Sequence, residues 1–415
     1  MIYKRIIIAF IVAVTALNVA AQDSKSPERL KTIVDSVLQS QVDSNLIPGA
    51  VIEIKKDGKV LLKKAFGFAQ KYDYNHRVPA HPEKTGIDYM YDLASLTKVV
   101  GTTTSIMLLV DRGKLKVDDR AGKYIPAFNS GDKKTITIRN LLTHTAGIDD
   151  WYPLFYRAHN KQEAFQLIGE LPLKYPVGAG RHYSDLGFTI LGEIIEKISG
   201  QSMDVFMQQN IFKPLGMLHT AFNPLQSGKF TKIAATSHGN PYEYRMVRDS
   251  SLGFTFKEID PNSWNGWRKY TLRGEVNDGN AWYAEQGVCG AAGLFSTIDD
   301  LQKLVDMLLH KGRAGNKQFI SEKTLQLFLT KDNFKNGLGW MMDPDNPVIK
   351  NGPPGTFGHT GFTGTSIAVI PEYNASVIML INRQNMGLLP SGEYYNLSPV
   401  RREIFTALLK YCENK

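Results

Sequence analysis

Cysteine is nearly missing: two in 415 residues, Cys289 and Cys412, too few for a disulfide-framework fold. No H-E-x-x-H and no paired C-x-x-C occurs, so no metal signature is present. No Walker-type or G-x-G-x-x-G loop precedes a helix. No G-x-S-x-G is found either, which removes the nucleophile elbow of α/β-hydrolases. Beyond the first two dozen residues no apolar run is long enough to cross a bilayer. The net charge is +9, yet the cations are scattered and not striped with aromatics, so no nucleic-acid partner is expected. Neither cofactor nor metal is expected.

What remains is a globular chain. Hydrophobic residues make up 43% and charged residues 21%, enough for a real core. Residues 1–21 read as a secretory signal. Lys4 and Arg5 form its charged start, Ile6 to Leu17 its apolar stretch, and Val19-Ala20-Ala21 a small-residue cleavage site. A periplasmic or secreted mature chain, residues 22–415, follows from cleavage near Ala21; an uncleaved anchor is the alternative. An exported protein could join its two cysteines. Cys289, however, sits among small residues in GVCGAAG, where a buried thiol acts as a small apolar side chain.

Ser26-Pro27 starts a helix, with a capping residue and then proline at the first helical position. Gly49 to Gly67 alternates around an Asp57-Gly58 turn and predicts a hairpin. SDLGFTILGEIIEKISG is a strong helix stopped by Gly200, and Thr297 caps another. Strands return in TGTSIAVIPE and ASVIMLINR, before a last helix opened by Ser398-Pro399. The pattern predicts an α+β fold. One antiparallel sheet is built from both chain ends and covered by the terminal helices. A mostly helical subdomain, roughly residues 88–332, is inserted beside it. Phe222 to Glu285 is irregular and aromatic, either a lid over a site or a satellite hydrophobic cluster.

The chemistry centres on Ser95-Leu96-Thr97-Lys98, opening a buried helix. Residues three apart share a helix face, so Lys98 can reach the Ser95 hydroxyl, a weak nucleophile until a base takes its proton. A second S-x-x-K, Ser130 to Lys133, lies in AFNSGDKKT and reads as a solvated loop. Three further runs stand out: Leu142-Thr143-His144-Thr145-Ala146-Gly147, Arg181-His182-Tyr183-Ser184-Asp185 and Gly358-His359-Thr360-Gly361-Phe362.

With LASLTK, these runs resemble the serine β-lactamase and penicillin-binding-protein superfamily. The nearer branch is that of class C β-lactamases, D-alanyl-D-alanine carboxypeptidases and related esterases. The likeness covers nearly the whole mature chain, including VCGAAGLFSTIDDLQKL, in order. It implies a β-lactamase/transpeptidase-like fold, with Ser95 as nucleophile and Lys98 as acceptor of its proton. Tyr183 matches the tyrosine of Y-x-N that relays a proton to the leaving group. His359, Thr360 and Gly361 match the K-T-G or H-T-G motif lining the cleft. The backbone N–H groups of Ser95 and Phe362 form the implied oxyanion hole.

Two positions depart from the pattern. Asp185 stands where many relatives have asparagine, and a carboxylate near Lys98 favours the charged amine. His359 stands where most β-lactamases have lysine, which weakens capture of a substrate carboxylate. His144 is expected to hold a loop, and Asn277, Asp278 and Asn280 to line the cleft. The resemblance implies an exported serine hydrolase acting through an acyl-enzyme on a small molecule or peptidoglycan peptide, with β-lactams as covalent ligands. An esterase or lactonase on small acyl esters, or a β-lactamase, is the alternative. A penicillin-binding sensor without turnover is a third.

Overall fold

A computed structural model describes residues 26–413. The proposed signal, residues 1–21, lies outside the described residues. Among those described, no helix is long and apolar enough to cross a membrane.

The chain opens with helix α1 (Pro27–Asp43), whose N-cap Ser26 accepts from Arg29 N. Strands β1 (Gly49–Lys56) and β2 (Lys59–Gln70) form the expected hairpin, its turn at Asp57 and Gly58 with positive φ. A short β3 (Glu83–Lys84) extends it. The sheet resumes near the end of the chain with β4 (Phe357–Thr360), β5 (Ser366–Ile370) and β6 (Ala375–Ile381). The order is β4-β5-β6-β1-β2-β3, and every pairing is antiparallel. Strands from the two ends of the sequence meet where β1 pairs with β6, Ala50 opposite Ile381.

Side chains alternate across a strand, and the two faces of the sheet bury different cores. Ala50, Ile52 and Ile54 pack with Met379 and Ile381 beneath α1 and the C-terminal helix. Val51, Ile367, Val369, Ile378 and Leu380 join the larger core of the residues between β3 and β4. The α+β arrangement, with one antiparallel sheet drawn from both ends and terminal helices on one face, matches the sequence-based expectation.

Between β3 and β4, a π-turn Lys98–Thr103 runs into α2 (Thr104–Asp111). Helix α3 spans Asp185–Ser199, capped by Ser184 and ended by Gly200 at φ 68°. Helix α4 is Ile298–Leu309 under its Thr297 cap. The last helix, α5, is Ser398–Glu413.

Three local expectations need correcting or refining. The run after Ser95 is not a regular α-helix but begins with the π-turn. That geometry sends Thr102 Oγ1 to Gly290 O at 2.7 Å. Lys133 is not in a solvated loop: it is buried and donates to the carbonyls of Ile168 and Gly169, with nothing in its contacts to make Ser130 a nucleophile. Cys289 and Cys412 are both buried and form no disulfide.

Candidate active site

Ser95 sits on a turn whose shape is imposed from beneath. Ala94 holds φ at 45°, a left-handed conformation that costs energy for any residue with a Cβ. The buried Asp92 carboxylate stabilises the turn, accepting from Ala94 N at 2.8 Å and from Asn277 N at 2.7 Å. Burial still pushes that acid up, to about 6, against the help of those two N–H groups.

The turn between β4 and β5 is stitched to the same place. Thr363 Oγ1 donates to Asp92 O at 2.7 Å and Thr365 Oγ1 to Leu93 O at 3.1 Å. Gly361 approaches Leu93 O and Thr365 Oγ1 so closely that any Cβ would collide with both. This approach brings Phe362 alongside the Ser95 turn. Within the described residues, neither Ser95 N–H nor Phe362 N–H has an acceptor. Two unused backbone donors flanking a hydroxyl are what a developing oxyanion needs.

Lys98 is fully buried. Three oxygens surround its Nζ: Ser95 Oγ at 3.1 Å, Ala291 O at 2.9 Å and Asp185 Oδ1 at 2.6 Å. Burial pushes the amine down, but Asp185 and Tyr183 outweigh it and the net direction is up. Three acceptors for three protons describe an ammonium. The Tyr183 ring lies 5.1 Å from Nζ. Burial raises its phenol; Lys98 offsets part of that and Asp185 adds to it.

Beyond Tyr183 the walls diverge. On one side stand two buried imidazoles. The His144 ring is 4.4 Å from that of Tyr183, and the His359 ring 6.2 Å. His144 Nδ1 accepts from Ser184 N at 3.0 Å, so its proton belongs on Nε2. His359 Nδ1 donates to Thr360 O at 2.9 Å, which leaves its Nε2 bare. Neither Nε2 has a partner. Burial, then Lys98, lowers His359 to about 3. Burial, then Arg181 and Lys98, lowers His144 well below 6.5. Both are neutral near pH 7. Arg181 lies 5.9 Å from the Tyr183 ring and makes no ion pair among the described residues.

On the other side are carboxyl groups. Asp278 Oδ1 accepts from Ala281 N at 2.8 Å. Glu243 accepts from Gly279 N at 2.8 Å and from Asn240 Nδ2 at 3.1 Å. Burial raises both acids; Asp278 raises Glu243 further, and Asp185 adds to both. They titrate as a unit.

The structure therefore brings together Ser95, Lys98, Tyr183, Asp185, His359, Gly361 and Phe362. Thr360 contributes its carbonyl to His359. His144 is the loop support expected of it. Of the three residues expected to line the cleft, only Asp278 stands among the charges at Lys98. Asn277 and Asn280 are buried and bond to Ser237, Tyr152 and the backbone of Leu154. The aromatic part of Phe222–Glu285 forms a satellite cluster, with Trp264, Trp267 and Tyr283 packed on Trp151, Phe155 and Met246, while Glu243 and Asp278 of the same segment wall the cleft. Sequence reasoning missed Asp92 and Glu243. An acid three residues before Ser95 in an apolar stretch was a signal for the first. Nothing in PYEYR marks the second.

The Beta-lactamase family profile matches residues 34–397. The chain belongs to the Beta-lactamase family. It is a serine hydrolase of that family. A protein of Salmonella enteritidis PT4, named "Putative D-alanyl-D-alanine carboxypeptidase", is 36% identical and covers 93% of this chain and 94% of itself. A Salmonella typhimurium protein of the same name matches equally well. Among solved structures, a class C beta lactamase superposes with TM-score 0.66 at 18% identity, covering 92% of this chain and 98% of its own. A penicillin-binding protein homologue from Pyrococcus abyssi gives 0.64 at 22%, over 91% and 76%. At such identities the structural likeness speaks for the fold.

Proposed function

We propose that this member of the Beta-lactamase family is an exported serine carboxypeptidase that cleaves D-alanyl peptides through an acyl-enzyme on Ser95. The observation that carries the reading is the Ser95–Lys98–Tyr183 arrangement, Nζ 3.1 Å from Oγ and 5.1 Å from the ring. The D-alanyl-D-alanine carboxypeptidase names of the 36%-identical relatives support the substrate class. The signal near Ala21 supports export.

Ser95 Oγ attacks the acyl carbon while the carbonyl oxygen enters between the N–H groups of Ser95 and Phe362. Lys98, held as an ammonium by Asp185 and Ala291 O, orients Oγ and stabilises negative charge on Tyr183. Tyr183 takes the hydroxyl proton and returns it to the departing amine. Water then repeats the sequence on the acyl-enzyme. Neither Lys98 nor Tyr183 is a ready base at neutral pH, so acylation quickens as pH rises. Asp185 and Phe362 line the acyl side, with His359, Thr360 and Gly361 along the strand edge. β-Lactams enter as covalent ligands of the same serine.

A second reading, an esterase on small acyl esters, is favoured by one observation. His359, neutral and buried, offers no charge to a substrate carboxylate.

The deciding experiment is intact mass over time with a reporter β-lactam, wild type beside Ser95→Ala, followed by D-alanine release from a D-alanyl-D-alanine peptide. An adduct on wild type alone, with D-alanine released, supports the carboxypeptidase. Ester turnover without D-alanine release supports the esterase. Full hydrolysis by Ser95→Ala would sink the mechanism.

A further inference from the structure

We propose that a second pocket, behind the acidic wall of the cleft, binds a pyranose sugar that carries an anionic group. The pocket encloses about 520 Å³, within the range of small-molecule sites. Tyr74 lines it, and three further aromatic rings build its corner: Tyr244, Trp264 and Trp267. They meet edge to face, Trp264 on Trp267 at 4.8 Å and 85°, Tyr244 on Trp267 at 5.4 Å and 75°. Phe155 and Tyr283, each 4.7 Å from Trp264, back the corner and hold it rigid.

The charged lining has one sign: Arg248, Arg268 and Lys269 contribute, and no Asp or Glu does. His238 also lines it, lowered by burial and so neutral near pH 7. Arg248 lies 3.8 Å over the Tyr244 ring and donates to Pro261 O at 2.7 Å, without a carboxylate partner. Lys269 is exposed and in no ion pair among the described residues. Arg268 is more than nine-tenths buried; its Nε and Nη2 donate to Asn240 Oδ1 and Asn277 O, and its Nη1, ion-paired with Glu275 at 3.7 Å, makes no hydrogen bond. Trp267 Nε1 is a second buried donor without an acceptor. Asn262 and Asn265 add exposed amides.

Each part of this chemistry narrows the ligand. Aromatic faces take the C–H face of a ring, amides take hydroxyl or N-acetyl groups, and cations with unused donors take a carboxylate or phosphate. A neutral sugar would leave Arg248 and Lys269 without an anionic partner. A flat base wants two parallel faces, and this corner offers perpendicular ones. Asn240 joins pocket to cleft: it lines the pocket, while its Nδ2 donates to Glu243 and to Asn277 O at 2.6 Å. Occupancy here is independent of acylation at Ser95.

The test titrates the wild-type protein with N-acetylmuramic acid, glucose 6-phosphate, N-acetylglucosamine and adenosine monophosphate, read by tryptophan fluorescence and calorimetry. The acidic sugars bind about ten-fold tighter than N-acetylglucosamine, the size of one ionic contact. Comparing the first two distinguishes a carboxylate from a phosphate ligand. Lys269→Glu and Asn265→Asp each weaken binding by a similar factor and leave ester hydrolysis unchanged. Equal binding of neutral and acidic sugars, tighter binding of the nucleotide, no binding at millimolar concentration, or indifference to both substitutions would overturn the proposal.

Discussion

The two walls that face Lys98 use opposite residue types and reach a similar end. One is built of imidazoles, His144 and His359, which burial pushes down until they are neutral. The other is built of carboxyl groups, Asp278 and Glu243, which burial and the charge of neighbouring carboxylates push up. In water at neutral pH the first wall would be partly cationic and the second fully anionic. Inside the protein each wall carries less charge, because a low-dielectric surrounding penalises the ionised form of either type: the imidazoles are neutral and Glu243, raised to about 8, keeps its proton, while Asp278, raised only to about 6, stays largely ionised at pH 7. Asp185 stays paired with Lys98 at 2.6 Å and so sets the local field.

The largest effect that would sharpen this contrast comes from the residue between the walls. Tyr183→Phe keeps the ring and its contact with His144 but removes the hydroxyl proposed as the proton carrier. Steady-state hydrolysis is expected to fall about 10²–10⁴-fold; a loss under ten-fold would move the proton's route elsewhere.

Next is Asp185→Asn. Asp185 raises both Lys98 and Tyr183, so its removal lowers both. The alkaline rise in the acylation rate then shifts to lower pH, by roughly one unit, given about 1.4 kcal/mol per unit. An unchanged pH–rate profile would mean that Asp185 does not control the base.

The smallest effects are a mirror-image pair in stability. The folded value of Glu243 lies above its unfolded one, so the folded state holds the extra proton. Stability contributed by this group is lost as pH rises from the ordinary carboxyl range through the raised value. His359 is the reverse, about 3 folded against 6.5 unfolded: stability is lost as pH falls from 6.5 toward 3. Glu243→Gln should therefore flatten the fall in Tm as pH rises from the ordinary carboxyl range to about 8, and His359→Gln the fall in Tm as pH drops below 6.5. If both substitutions flattened the same side, the comparison would fail.

Legibility followed the range of the forces involved. The hairpin, the Ser184–Gly200 helix and the C-terminal strands were readable because period and caps are local. So was Ser95-x-x-Lys98, since a three-residue spacing is a local fact. Asp92 and Glu243 were not. One owes its place to the φ of Ala94 and the other to the N–H of Gly279, and neither is a pattern along the chain. The Lys133 misreading has the same origin: its acceptors, Ile168 O and Gly169 O, are tertiary neighbours. His359 was recognised by motif, but only packing revealed its neutrality.

The stitches from Thr363 and Thr365 to Asp92 and Leu93 bear on quality control in the cell. The two backbone donors beside the Ser95 hydroxyl come from opposite ends of the sequence and are brought together only when β4 and β5 have docked on β1 through β6. A chain cut short before Phe357 has the serine without its counterpart. It cannot damage the acyl compounds it passes. Hydrolytic activity in this protein is thus a certificate of completed assembly.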